Sequence, residues 1–300
     1  MLNTADSVAL SKLEEWEIDY IRKSENNFFK NAIEKTGNFL KPVSEPVAKM
    51  IKPIADSKVI SRIQNAIQIA IAGAFQFTHD NVKFTYSKNY ILKALDIESF
   101  DYLYEFDADE IEKYVRKVAN QNKIASALEG IGFGMGGLEA TLIEIPIFFG
   151  IIARVQQQIC SCYGFDPESE FEQSYMLKAL SFSDTLAVGG KSELILELNS
   201  LKVAINRHTY KQLNEMGGKY TLPEIAKAFA KQQGVQLSKK KMTQSLYLIG
   251  GLIGGMFNYG YINRVVNVTN NLYKKRFLED KKSINIESIQ LCTDDILEEV

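Results

Sequence analysis

Four charged side chains lie in a stretch that is otherwise apolar or rich in glycine, and they are the first candidates for chemistry. They are Glu129, Glu139, Glu144 and Arg154. On an ideal helix with about 100° per residue they fall within a sector about 140° wide, so they would share one polar face if the helix is continuous. Two carboxylates on such a face could act as an acid–base pair or bind a metal ion. The alternative is a polar seam that fixes the register of packed helices.

The partners of these charges must come from other segments. Glu144 and Arg154 are about 15 Å apart along one helix, at a rise of about 1.5 Å per residue, which is too far for a direct bond. Asn258, Arg264 and Lys123 are the candidate partners. A buried carboxylate without a partner would have a raised pKa and stay neutral.

Other residue types that commonly do chemistry are sparse. The histidines, His79 and His208, lie in different segments, so we predict no metal site and no cofactor. Cys160 has no basic neighbour that would activate its thiol. The glycine spacing of a nucleotide loop occurs at Gly132, Gly134 and Gly137, but no strand is predicted before it and no Lys-Ser or Lys-Thr pair follows. The sequence therefore carries no enzyme signature.

Two glycine-rich segments carry rows of small residues at helical spacing. The rows pair residues four apart: Gly130 with Gly134, Gly132 with Gly136, Gly250 with Gly254, and Gly251 with Gly255. Such rows let two helix backbones approach closely, because nothing larger than hydrogen stands between them. Each glycine costs about 1 kcal/mol of helix propensity relative to alanine, so tight packing must offset the loss. The rows predict either two core helices in close contact or a surface that docks on or inserts into a membrane.

The second glycine-rich segment, from Met242 to Asn263, contains no charged residue and follows Lys239, Lys240 and Lys241. It is long enough to span a bilayer. Its glycines and polar side chains lower its apolarity below that of an inserted helix, so we predict that it does not span. The three lysines could bind anionic lipid head groups, at about 1 kcal/mol per charge. Alternatively, they stay hydrated and complement a helix dipole.

Composition indicates a helical, globular protein. Of 300 residues, 46% are hydrophobic and 24% are charged, which argues against a disordered chain and against a polytopic membrane protein. The 35 basic residues are balanced by 37 acidic ones, so no net field attracts nucleic acid. The N-terminus lacks the basic and apolar pattern of a signal peptide, and 3 cysteines are too few for a disulfide framework. We expect a cytoplasmic protein that binds no nucleic acid.

The apolar spacing predicts an all-α fold, a compact multi-helix assembly in which the two glycine-rich apolar helical segments pack together. Residues 1–55 would form amphipathic helices and a proline-containing linker, 56–280 the main helical domain, and 281–300 a charged tail. The charge-free stretch between Arg62 and Asp80 indicates a mostly buried core helix.

Helix stop and start signals surround Gly164. Glycine is common just past the end of a helix, so Gly164 should end the helix that contains Cys160. Asp166 is a preferred capping residue and Pro167 suits a first helical turn. The next helix is therefore predicted to run from Pro167 to Ala187.

Two stretches of the sequence together resemble the EcsC family. They are LEGIGFGMGGLEATLIEIPIFFGIIARVQQQICSCYGFDPE and IGGLIGGMFNYGYINRVVNVTNNLYKKRF, and the early Trp16 also fits. The resemblance implies an all-helical fold and, through the family's name, a link to an ABC exporter, but no catalytic mechanism. The matching positions are Glu144, Pro146, Arg154, Tyr163, Gly164, Asp166, Asn258 and Arg276. The family more often has Asp at the position of Glu144, so an acid stays in place here but its carboxylate is moved by about one methylene group.

Three functions remain open. The first is a membrane-peripheral accessory or interaction protein, associated with membrane or ABC-transporter processes. It would dock on a membrane surface or a membrane protein through the glycine rows and Lys239 to Lys241. The second is a hydrolase that combines Glu144 with Glu139, Arg154 or Asn258 in a cleft. The third is a carrier of lipid or another apolar ligand, with an apolar cavity between the glycine-rich helices.

Overall fold

The computed structural model describes residues 2–38, 57–76, 89–133, 137–183, 191–207, 223–231 and 250–298. These residues form helices and turns, with no strand among them, so the prediction of an all-α fold is confirmed. In chain order the helices are α1 (Thr4–Asn38), α2 (Ser57–Gln76), α3 (Tyr90–Leu95), a 3₁₀ helix (Phe100–Glu105), α4 (Ala108–Phe133), α5 (Gly137–Cys162), α6 (Glu170–Ser183), α7 (Lys191–Arg207), α8 (223–231) and α9 (Gly250–Glu298).

Three long helices, α4, α5 and α9, form the centre of the fold. The longest of them, α9, packs most extensively against α4 and also contacts α5 and α6. Lys274 of α9 bonds to Asp109 at the start of α4, whereas Val266 lines a cavity with Ala119, farther along α4. The two helices are therefore antiparallel. On the outside of this group, α2 packs against α5, and α1 contacts α4, α7 and α9.

The end of α5 confirms the predicted helix stop at Gly164. The Phe165 N–H donates to the carbonyl of Cys160, and the Gly164 N–H donates to that of Ser161, which is the hydrogen-bond pattern of a Schellman motif. Gly164 has φ +83°, a left-handed conformation that side chains with a Cβ disfavour. A Cβ here would also lie 3.1 Å from Leu103 Cδ1, so the turn packs closely against the 3₁₀ helix.

The predicted start of the next helix is wrong by three residues. Asp166 does accept a hydrogen bond, from the Glu168 N–H at 3.2 Å, but this bond closes a turn outside the helix. Regular helix α6 begins at Glu170, and the Ser169 carbonyl accepts its first bond, from Gln173. The described part of α6 ends at Ser183, and Ala187 lies outside the described residues.

The prediction of a mostly buried helix between Arg62 and Asp80 is wrong for the side chains of α2 that the structure describes, and residues 77–80 lie outside the described residues. One side of α2 is buried, with Ile67 at 0% and Ala70 at 5% exposure, but Ile69 is 71% exposed. Asn65 and Gln68 lie on the exposed side as well. The absence of charge misled the prediction, because uncharged amides can cover a solvent-facing side as charged residues do.

The start of α4 is fixed by a residue of α1. The Asp6 carboxylate accepts a hydrogen bond from the Ala108 N–H at 2.9 Å and satisfies a donor that the helix itself leaves unpaired. Lys281 of α9 donates to the same carboxylate at 2.6 Å and to the Phe106 carbonyl at 2.8 Å. Since α9 continues through position 281 without a break, no helix end marks the predicted boundary there. The two domain boundaries stay predictions.

Within the described ranges, none of the helices is both long and apolar enough to cross a membrane.

Candidate functional site

The candidate residues from the sequence fall on the three central helices. Glu139, Glu144 and Arg154 belong to α5, Asn258 belongs to α9, and Gly132 is the penultimate residue of α4. Gly250, Gly251, Gly254 and Gly255 form the first turns of α9. Gly136 and the lysines Lys239, Lys240 and Lys241 lie outside the described residues. For Glu139, Glu144 and Asn258 the structure describes the helix but not the side chain.

The register of α5 against α9 follows from two contacts. Gln156 donates to the Thr269 hydroxyl at 3.2 Å, and the rings of Phe148 and Tyr261 are 5.5 Å apart. Both pairs are separated by the same number of residues, so α5 and α9 run parallel over this stretch. Continued toward the start of both helices, this register would bring position 144 level with position 257. We therefore expect Glu144 and Asn258 at the same level of neighbouring helices.

Arg154 does not belong to this pairing. At about 100° per residue, it lies about 180° around α5 from the positions that contact α9. It is half-buried, and its Nε atom is buried without a hydrogen-bond partner. Arg154 is also about 15 Å along the axis from position 144. The structure therefore does not bring Arg154 to the level that we expect Glu144 and Asn258 to share.

A buried polar cluster that sequence reasoning missed joins α5, α6 and α9. Glu172 pairs with Arg276 through two short contacts, 2.7 Å to Oε1 and 2.9 Å to Oε2, and the Tyr273 hydroxyl donates to Oε2 at 2.9 Å. The Arg276 guanidinium also lies over the Phe165 ring, 4.1 Å from its centroid. The side chains of Arg276 and Glu172 are only 3% and 5% exposed. We call Cys160, Glu172, Tyr273 and Arg276 the closed cluster.

The electrostatics of the closed cluster favour a structural role over a catalytic one. Burial raises the pKa of the Cys160 thiol well above its usual value, and the nearby charge of Glu172 adds to the effect, so the sulfur stays protonated and unreactive. Burial also raises the pKa of Tyr273. Burial raises the pKa of Glu172 too, although Arg276 and Tyr273 counteract it. With its oxygens occupied and its side chain enclosed, Glu172 has no room to act on a substrate.

A second set of charges ties α9 to the start of α4. Lys274 bonds to Asp109 and, at 2.6 Å, to Glu112. The Lys274 hydrogen bond lowers the pKa of Asp109. Asn270 donates to Glu112 at 3.1 Å and accepts from the buried Tyr163 hydroxyl at 2.9 Å. This set and the closed cluster together form what we call the closed end of the α4–α5–α9 group.

The opposite end of the same three helices carries the glycines. Because α4 and α9 are antiparallel, continuing their pairing from Asp109 and Lys274 would bring Gly132 level with the first turn of α9. That turn contains Gly250 and Gly251. We call this end, with Gly132 and residues 250–255, the glycine end. Close contact between the two glycine rows stays a prediction.

The described residues contain no group of three or more His, Cys, Asp or Glu side chains that could hold a metal ion. His79 and His208 lie outside these residues.

Comparison with known proteins identifies the family. The model of the EcsC protein family matches residues 9–278. The chain belongs to the EcsC protein family. Two Bacillus subtilis (strain 168) proteins are similar to it. Protein EcsC is 21% identical over 277 residues, which cover 92% of this chain and 98% of EcsC. Uncharacterized protein YdbA is 27% identical over 153 residues, about half of each protein, at 51% of this chain and 52% of YdbA. No solved structure matches the chain.

Several positions that carried the EcsC resemblance lie at the closed end. Tyr163 anchors Asn270, Gly164 ends α5, and Arg276 binds Glu172. In this EcsC protein these contacts give the three residues a structural role, because they hold the ends of packed helices together. Asp166 follows Gly164 in the same turn. Of the remaining positions, Glu144, Pro146 and Asn258 lie toward the glycine end, and Arg154 lies between the two ends. The sequence showed Arg276 only through its place in a motif, and it gave no sign of Glu172, which lies 104 residues away.

Proposed function

We propose that this EcsC protein is a membrane-peripheral accessory or interaction protein that docks through its glycine end. Its partner is a bilayer surface or a membrane protein such as an ABC transporter. The observation that carries the proposal is the division of the central helices into two ends. The Glu172–Arg276 pair at the closed end is buried and the charges around it are paired, which favours the glycine end as the membrane-docking surface.

The sequence around the glycine end supports this proposal. Lys239, Lys240 and Lys241 come shortly before α9, and no charged residue lies between them and Arg264. Glycine rows allow close approach of an apolar helix or of lipid chains, and the adjacent lysines would supply attraction to anionic head groups. Apolar contact and charge attraction together bind a protein to a membrane surface without a spanning helix.

Vesicle flotation tests the proposal with a matched pair of variants. Replacing Lys239, Lys240 and Lys241 by Gln removes the three charges that come shortly before α9 in the sequence. At about 1 kcal/mol per charge, partitioning onto vesicles with 30% phosphatidylglycerol should fall about 100-fold. The control replaces Lys12, Lys113 and Lys117, which are exposed near the closed end, and should leave partitioning almost unchanged. Equal losses in both variants would refute the role of the glycine end.

Fractionation of cells gives a second test of the same proposal. The protein should sediment with membranes at low salt and move to the soluble fraction after a high-salt wash, because screening weakens the lysine contacts. A protein found wholly in the soluble fraction under both conditions would rule out membrane docking.

A hydrolase remains the second candidate, because we expect the α5–α9 register, continued toward the start of both helices, to bring Glu144 level with Asn258. A carboxylate beside an amide at a helix interface could activate water and hold a substrate carbonyl. This candidate requires Glu144→Gln to abolish turnover of an ester or amide substrate while leaving vesicle binding intact. If Glu144→Gln changes only the free energy of unfolding, Glu144 has a packing role.

A further inference from the structure

A groove between α4 and α9 contains a cavity of about 70 Å³ that has no role in the proposed docking. Its floor is apolar and consists of Val115, Ala119 and Val266, which are all nearly or completely buried. A water needs about 10–15 Å³ of such volume, so the cavity holds about five water-sized groups. It is therefore large enough for a chemical group of four or five heavy atoms, and too small for a nucleotide or a sugar chain.

Two carboxamides line this cavity from opposite sides. Asn120 belongs to α4 and Asn267 to α9, and both side chains are exposed. Neither forms a hydrogen bond with another residue in the part of the chain that the structure describes. A third amide, Asn270, is fixed at the back of the cavity by Tyr163 and Glu112. Each free amide offers two donors and one acceptor to a ligand.

The charges at the mouth of the groove are already paired with one another. Glu112 accepts from Arg116, Lys274 and Asn270, so its carboxylate has little remaining capacity. Arg116 is paired with Glu112 and is otherwise in water, with its side chain 69% exposed. A charged ligand would therefore find no buried counter-charge, whereas an apolar one would leave the amides without partners.

We propose that the groove between α4 and α9 binds an uncharged carboxamide group, which lies on the apolar floor and bonds to Asn120 and Asn267. Such a group is planar, carries a donor and an acceptor, and matches the amides on both walls. It would come from an Asn or Gln side chain or from a peptide link of a partner protein. The inference does not depend on membrane docking, since it concerns a different part of the same helices.

NMR titration of the ¹⁵N-labelled full-length protein tests the inference. Acetamide represents the side-chain source, N-methylacetamide the peptide link, and acetate is the charged analogue of the same shape. At least one of the two amides should shift the backbone signals of Ala119, Val266 and Asn267 in a saturable way, with affinity on the order of millimolar for so small a probe. The tighter of the two amides identifies the source. Shifts of equal size with acetate, or none with either amide, would overturn the proposal.

Variants connect the binding to the two amides. Replacing both Asn120 and Asn267 by Leu keeps the side-chain size, removes the hydrogen bonds and should weaken acetamide binding at least about tenfold. Asn199→Leu, at an exposed position on α7, is the matched control and should leave the titration unchanged. If the double variant does not fold, the isosteric Asn267→Asp should still weaken binding. Unchanged affinity in a folded groove variant would overturn the assignment.

Discussion

At the closed end, α5, α6 and α9 are joined by buried polar contacts, whereas at the glycine end α4 and α9 carry residues that have no side chain. The Glu172–Arg276 pair at the closed end is almost fully removed from water. Such a pair specifies one arrangement of its helices, because any shift would leave a buried charge without its partner. Glycines specify little by themselves, since they contribute only close approach. The comparison indicates that the closed end sets the register of the helices, and the glycine end is where we propose that a partner docks.

The largest effect should come from breaking the buried pair. Arg276→Met removes the guanidinium but leaves the Glu172 carboxylate enclosed, so we expect a loss of about 3–5 kcal/mol in the free energy of unfolding, measured by urea denaturation. The double variant Glu172→Gln with Arg276→Met should recover part of that loss, since no buried charge remains. A loss below about 1 kcal/mol in Arg276→Met would mean that the pair does not hold the closed end together.

At the closed end, the sequence predicted the features that depend on neighbouring residues in the chain. Gly164 ends α5 because one residue must adopt positive φ there, and that requirement is visible in a single position. The pairing of Glu172 with Arg276 joins residues 104 positions apart, and neither has a local pattern that points to the other. The start of α6 was misplaced because Asp166 can close a turn as well as cap a helix. The roles proposed for the side chains of Glu139, Glu144 and Asn258 stay predictions, since the structure describes only the helices that carry them.

Two alanine substitutions compare a glycine that the closed end requires with one that it does not. Gly164→Ala should cost about 1–3 kcal/mol, because the residue has φ +83° and its Cβ would lie 3.1 Å from Leu103 Cδ1. Gly260 lies inside α9, and a Cβ there would meet nothing within 4 Å. Gly260→Ala should therefore stabilise the protein by up to about 1 kcal/mol through helix propensity. Thermal unfolding of both variants measures their changes in stability. If both changes had the same sign, this account of Gly164 would be contradicted.

At the glycine end, one substitution tests whether the glycines pack closely against another helix. The sign of its effect on the free energy of unfolding gives the answer. If Gly254 contacts another backbone, Gly254→Ala should destabilise the protein by about 1 kcal/mol or more, because the added methyl group separates the helices. We expect this result. If nothing lies close, the same change should stabilise α9 by about 1 kcal/mol, as in Gly260→Ala. A stabilised Gly254→Ala variant that still binds vesicles would show that docking does not need the tight row.

The smallest expected effects concern the pH dependence of stability. This dependence has opposite signs for Asp109 and Glu172, although both carboxylates are bound by a cation of α9. The pKa of Asp109 is lowered from 3.8 by its hydrogen bond from Lys274, so its contribution is complete above pH 3.8 and is lost as pH falls through the folded-state value. The pKa of Glu172 is raised from 4.5 by burial, so the folded protein binds this proton more tightly than the unfolded chain does. Its contribution is therefore complete below pH 4.5 and is lost as pH rises through the folded-state value.

Urea denaturation between pH 3 and 7 separates the two contributions through Asp109→Asn and Glu172→Gln. The difference between wild type and Asp109→Asn should shrink below pH 3.8, and it should remain under about 1 kcal/mol because the Asp109 side chain is 68% exposed. The difference between wild type and Glu172→Gln should instead shrink as pH rises above 4.5. If the two differences in unfolding free energy changed with pH in the same direction, Glu172 would be hydrated like a surface carboxylate. The helices at the closed end would then be held by apolar packing, and the contrast with the glycine end would be one of shape alone.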